Sequence, residues 1–161
     1  MRPVSEIVIR DYRDEDAATT LAVFLDAVTI TASADYSAAQ IAAWARPAQR
    51  SIDGWNEARR RRGTVVAVVD GRVAGFSDVS ASGDIDMLFV SPAFARRGVA
   101  RALMAELESR AMDAGAAGLS ADVSITARPF FERVGFAVEA EQHPVIEGIE
   151  LTNFRMARPL S

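Results

Sequence analysis

Residues 64–80, TVVAVVDGRVAGFSDVS, admit few folds. Two β-branched runs flank Asp70-Gly71, a dipeptide suited to the positive φ angles of a two-residue hairpin turn. The two runs must then lie side by side and antiparallel. Residues 82–90, SGDIDMLFV, follow a Ser82-Gly83 turn and read as a third strand, so the middle of the chain is a meander. A meander needs helices or a second sheet to cover its apolar face.

The flanks supply that cover. Residues 5–12, SEIVIRDY, alternate into a short opening strand. Residues 13–28 read as a helix, with acids in the first turn and Leu21, Phe24, Leu25 and Val28 at helical spacing. A second helix spans 35–45 with Ser37 as its N-cap, and a third spans 51–63 and closes at Gly63. Past the meander, a helix runs from Gly98 to about Ala114. Its apolar stripe is Ala100, Leu103, Met104, Leu107 and Ala111, and Gly115 sits at C′. Residues 118–124 read as a strand and 126–136 as a short helix ended by Gly135. The tail reads as two strands joined near Glu147-Gly148. This order is an α+β fold.

The chain has 161 residues, half of them hydrophobic and a quarter charged, which suits one domain over 1–161. Its net charge of -4 argues against nucleic acid as a partner. The run Arg59 to Arg62 reads as solvated cations complementing a helix C-terminus. With no cysteine there is no disulfide framework, thiolate metal site or thiol nucleophile. The one histidine, His143, leaves little for zinc or a Ser-His-Asp site, so no metal is expected. The N-terminus lacks the apolar core of a signal peptide, and no apolar run reads as long enough to cross a membrane. The expected location is the cytoplasm.

Residues 91–104, SPAFARRGVARALM, put Arg96, Arg97 and Arg101 where a helix macrodipole disfavours cations. An anion bound there resolves the conflict. The first N–H groups of a helix lack internal partners, Gly98 lets a ligand approach the main chain, and arginine forks suit phosphate. The loop is neither a Walker A sequence nor a Rossmann fingerprint, which disfavours ATP and NAD.

The segment FARRGVARALM resembles the coenzyme A loop of the GNAT superfamily of N-acetyltransferases, [QR]-x-x-G-x-[GA], with Ala95 in place of its first residue. IVIRDYRDEDAATTLAVF, LFVSP and ITARPFFERVGF resemble other parts of the family pattern, so the likeness covers nearly the whole chain. Judged by TASADYSAAQIAAWA, IDMLFV and TNFRM, it is nearest the YafP-like branch. The resemblance implies a mixed, twisted sheet whose central parallel strands, DMLFV and LSADV, splay apart between flanking helices. Acetyl-CoA would enter the split as cosubstrate. Leu88, Phe89 and Val90 would pair with its pantetheine arm, and Arg96, Arg97, Gly98, Val99, Ala100 and Arg101 would hold its diphosphate.

Acetyl transfer to an amine needs a group to take the ammonium proton, because such amines ionise near pH ~10. Asp84 and Asp86 lie two apart on one strand and so share a face, where paired carboxylates raise one another's pKa. The family often has a base at these two positions before the pantetheine-binding tripeptide. Many members also carry a tyrosine acid on the late helix. Here Phe131 stands in that position, and Ser124 stands where an asparagine precedes the helix. Tyr36 is the alternative proton donor. Asn153 is a further candidate for the acceptor site, and His143 reads as a surface residue. The expected function is acetyl transfer to a primary amine of a small molecule or protein by direct attack, since cysteine is absent. The alternative is a catalytically silent acyl-CoA-binding module. A homodimer is compatible with either.

Overall fold

Asp70 and Gly71 turn with φ of 51° and 76°, and the strands they join pair antiparallel from Val65↔Ser77 to Val69↔Arg72. These strands belong to a computed structural model that describes residues 6–160. In chain order the elements are β1 (Ile7–Asp11), α1 (Ala17–Thr29), α2 (Ala38–Ala45), α3 (Ile52–Arg61), β2 (Val65–Val69), β3 (Arg72–Ser77), β4 (Asp84–Ile85) and β5 (Leu88–Val90). They continue with α4 (Val99–Asp113), β6 (Gly118–Ser124), α5 (Arg128–Arg133), β7 (Ala137–Gln142), β8 (Val145–Ile146), β9 (Ile149–Glu150) and β10 (Asn153–Pro159).

Two four-stranded sheets result, ordered β1-β2-β3-β5 and β4-β6-β10-β7. Strand β2 is covered on both faces. Val65, Ala67 and Val69 meet Val99, Leu103, Leu107 and Ala111 of α4. Val66, with Phe76 of β3, meets Leu21, Phe24 and Val28 of α1 and Trp55 of α3. Each of the valine, leucine and phenylalanine side chains among them contributes roughly 1.5–3 kcal/mol by leaving water. Gly75 makes the α4 contact close: a Cβ there would lie 2.8 Å from the Phe89 carbonyl oxygen and 3.1 Å from Val99. Ser37 caps α2 through a reciprocal pair, with Gln40 N–H on its Oγ (3.1 Å) and its own N–H on Gln40 Oε1 (2.9 Å).

The run expected as one strand over 82–90 is two strands in two different sheets. Strand β4 pairs parallel with β6 at Asp84↔Ser120 and Ile85↔Ala121, whereas β5 pairs antiparallel with β3. Two side chains make the break. The Asp86 N–H donates to Asp78 Oδ1 (3.0 Å), and Ser77 Oγ donates to the Met87 carbonyl (2.7 Å). Beyond Ile85 and Ala121 the sheets part, which is the splay that the family resemblance implies. The tail also differs from its expected two strands: Glu147 and Gly148, at φ 52° and 76°, close a small β8–β9 hairpin inset between the longer, paired β7 and β10.

One further expectation is corrected. The helical run Asp14–Ala34 is 21 residues long, and its most apolar 18-residue stretch has a mean hydropathy of 1.5, long and apolar enough to cross a membrane. It is a core helix here, with Ala17, Leu21, Val23, Phe24 and Val28 packed in the interior.

Candidate active site

Where the sheets part, a cavity of about 270 Å³ opens. Leu88, Phe89 and Val90 line one wall, and Ala121, Asp122, Val123 and Ser124 line the other. Strand β5 is an edge of its sheet, so the main chain of Leu88–Val90 has a hydrogen-bonding side without a strand partner. Phe131 closes the cavity from α5. It is buried, edge-on to Phe136 with centroids 4.9 Å apart, and carries no proton donor. Ser124 Oγ accepts the Ala127 N–H (3.1 Å), a local turn bond ahead of α5.

A second hollow, of about 320 Å³, continues from the first through Thr31, Val90, Ala100 and Phe130. Arg96, Gly98, Val99, Ala100 and Arg101 line it. Ala100, expected in the apolar stripe of α4, therefore faces the cleft. Gly98 is the N-cap of α4 at φ 82°, with no side chain satisfying the first N–H groups of the helix. A Cβ there would meet only Ile7 at 3.9 Å, so glycine is required by conformation rather than by space. Arg96, at φ 61°, is a second left-handed residue in the same loop. Arg97 departs from expectation: it does not line the hollow, and its guanidinium lies 5.5 Å from the Phe94 ring centre. Arg133, at the end of α5, takes a place on the rim that the sequence reading missed.

A third hollow, of about 190 Å³, shares Trp44, Asp86, Phe89, Asp122 and Ser124 with the first. Asp86 thus stands where the two meet. Its side chain is 51% exposed, with Arg59 Nη2 at 3.8 Å, and its carboxylate accepts no hydrogen bond among the described residues. Asp84 lines none of these three hollows. Its Oδ1 accepts from Arg155 (3.1 Å) and Ser120 (3.2 Å). The expected carboxylate pair is in effect an Asp84–Arg155 ion pair, and Arg155 also reaches Asp122 at 3.3 Å.

Behind Asp86 lies a buried charge network. Asp78 is fully buried, and its Oδ1 takes Arg62 Nη2 (2.7 Å) as well as the Asp86 N–H. Burial pushes the Asp78 carboxyl up, against the opposing pull of Arg62 and the N–H. Arg59, only 4% exposed, lies over Trp55 at 4.7 Å, and burial pulls its pKa down while Asp78 and Asp86 oppose. The expectation of a solvated Arg59–Arg62 run is therefore wrong at both ends. Facing inward, Arg59 reaches the site and Arg62 pairs with Asp78; Arg60 and Arg61 are exposed.

Tyr36 lines the third hollow, but its hydroxyl is engaged twice: it donates to the Thr152 carbonyl (2.5 Å) and accepts the Ile125 N–H (2.9 Å). Burial pushes this phenol up. Asn153 lines the same hollow and accepts from Gln142 (2.9 Å). His143 stands away from all three, between Glu141 (3.0 Å) and Glu150 (3.5 Å). Among the described residues no group of three or more His, Cys, Asp or Glu could hold a metal.

Sequence reasoning missed Asp122, Asp78 and Arg50, the last of which lines the third hollow. Asp122 had a visible signal, a carboxylate inside LSADV, the very strand assigned to the split.

The acetyltransferase (GNAT) domain family matches residues 32–158. An uncharacterised N-acetyltransferase of Escherichia coli K12, YafP, is 40% identical over 153 residues, covering 95% of this chain and 96% of that one. A GCN5-related N-acetyltransferase from Rhodopseudomonas palustris superposes with a TM-score of 0.92 at 31% identity, over 99% of both chains. The PaiA N-acetyltransferase of Thermoplasma acidophilum, solved with coenzyme A, has the same fold at a TM-score of 0.77 and 20% identity, over 96% of this chain and 99% of its own.

Proposed function

The chain belongs to the GNAT acetyltransferases, and we propose that it moves an acetyl group from acetyl-CoA to a primary amine by direct attack. The observation that carries this reading is Asp86, a half-exposed carboxylate without a hydrogen-bond donor among the described residues, set where the split between the sheets meets the third hollow. The residues present fit the coenzyme. The open edge of β5 has N–H and C=O groups to offer the amides of a pantetheine arm. The uncapped start of α4, with Arg96 and Arg101 beside it, has donors and charge for a diphosphate. The thioester supplies an activated carbonyl, to which the amine bonds as the C–S bond breaks.

In this reading Asp86 takes the ammonium proton before attack, directly or through one water. Asp84 is committed to Arg155 and keeps the strand in place. Phe131 offers no proton, and the Tyr36 hydroxyl spends its own on Thr152. After attack the nitrogen gives up its surplus proton to solvent and the departing thiolate takes one from it, a tolerable arrangement for a thiol that ionises near pH ~8.5. The protein would act as one domain and in the cytoplasm.

The vacancy at Phe131 favours one rival, a silent acyl-CoA-binding module. One assay separates the two: release of free CoA thiol in the presence of an amine panel. Acceptor-dependent release is expected. Tight CoA binding with no release for any amine would leave the rival standing.

A further inference from the structure

The third hollow, which the acetyl-transfer reading makes the acceptor side, contains one cation that no carboxylate answers among the described residues. Arg50 lies past the end of α2, half-buried, with its guanidinium over Phe24 at 4.4 Å. Its Nε donates to the Ala45 carbonyl (2.6 Å) and its Nη2 to the Trp44 carbonyl (3.1 Å). Those bonds occupy the Nε–Nη2 edge of the fork and hold the plane of the group fixed. Nη1 and the second proton of Nη2 have no partner among the described residues.

The other arginines around this hollow are paired: Arg59 with Asp86, Arg62 with Asp78, and Arg155 with Asp84 and Asp122. Arg50 has the reverse surroundings. Burial pulls its pKa down, and the neighbouring charges of Arg46 and Arg59 add to that pull. A half-buried cation among cations, anchored on one edge and open on the other, is a receptor for an anion. The same hollow carries two carboxylates, Asp86 and Asp122. Asp122 already accepts hydrogen bonds from Arg155 and Gln142, whereas the Asp86 carboxylate has Arg59 no nearer than 3.8 Å and accepts none among the described residues, which leaves its hydrogen-bonding capacity for a ligand cation.

We propose that the acceptor is a small zwitterion of the amino-acid type, whose carboxylate docks on the open Nη1–Nη2 edge of Arg50 while its amine faces Asp86. The size of the hollow, about 190 Å³, suits such a molecule. Phe24 links the two ends: it stacks under Arg50 and meets Phe89 edge-on at 5.0 Å, on the strand that runs past the transfer point. The proposal rests on the acetyl-transfer reading above.

The test uses matched acceptors: L-amino acids, and the decarboxylated amine of each. Wild-type protein should acetylate the carboxylated members with a lower KM than their decarboxylated partners. Arg50→Gln should raise KM for the carboxylated series by about 10- to 100-fold, the worth of one or two hydrogen bonds to a charged group. It should leave KM for the decarboxylated series unchanged, a split that a merely structural role would not produce. Arg50→Lys keeps the charge but loses the fork, and should fall between. CoA affinity, measured by calorimetry on each variant, reports whether the fold and the coenzyme site survive. Equal KM values for the two series, no turnover of any carboxylated member with CoA binding intact, or an equal effect of Arg50→Gln on both series would each overturn the proposal. Loss of CoA binding by the wild type would overturn the acetyl-transfer reading itself, and this inference with it.

Discussion

Asp84 and Asp86 are the same residue type two positions apart, yet the structure gives them different partners. Asp84 is held by Arg155 and Ser120, and the Asp86 carboxylate meets only Arg59 among the described residues, at 3.8 Å. Asp86→Asn should therefore lower kcat by ~10²–10⁴, with CoA affinity unchanged and the deficit shrinking at high pH as the amine loses its proton unaided. Asp84→Asn should instead cost stability, about 1 kcal/mol or less for a pair this exposed, with kcat little altered. Steady-state kinetics over pH 6–10 on both variants, with thermal melts, decide the assignment. Tyr36→Phe strips a donor from Thr152 and an acceptor from Ile125. A loss of about 1–3 kcal/mol in stability is expected, with kcat within about twofold of the parent. A tenfold fall in kcat at unchanged KM would return the acid role to its hydroxyl. At this scale the sequence was legible only for residues that a motif points to. Arg50 and Asp78 lie outside any motif, and their significance comes from what they lack among the described residues: a carboxylate for one, a donor to its buried Oδ2 for the other.

Elements set by local chemistry could be read directly. The Asp70-Gly71 turn, the Ser37 box and the Gly115 terminus of α4 each depend on residues within four positions of one another. The break at Asp86-Met87 could not. It depends on Ser77 and Asp78, eight to ten positions earlier, capturing main-chain groups that a plain alternation pattern assigns to a strand ladder. The same limit hid Arg59, because a basic helix end looks identical whether it faces water or Trp55. The loop before α4 offers a test at this scale. Gly98→Glu adds a β-carbon at φ 82° and a negative charge at the uncapped helix start. The backbone penalty is about 1–2 kcal/mol, which the fold should survive, while coenzyme A binding is abolished. Circular dichroism and calorimetry check the two halves, and unchanged CoA affinity would sink the loop assignment.

Across the whole molecule, the first strand is tied to the first helix by Arg10 and Asp16, whose two bonds measure 2.8 and 2.9 Å. Burial would raise the Asp16 carboxyl, but the Arg10 fork and the Arg13 N–H outweigh it and hold it below the usual value. Its stabilisation is thus complete above the unfolded carboxyl pKa of ~3.9 and drains away as pH falls through the lower folded value. Asp16→Asn should cost about 2–3 kcal/mol at pH 7, and the difference in melting temperature from wild type should begin to narrow as pH falls below ~3.9. A gap that is constant with pH would mean that the bonds act by shape alone. The segment that leaves one sheet and enters the other has a consequence on the same scale. Parallel pairing ends at Ile85, and Asp86 is the next residue along. If the sheets breathe like the arms of tongs to admit a ligand, Asp86 is beside the fulcrum, the part of such a tool that travels least.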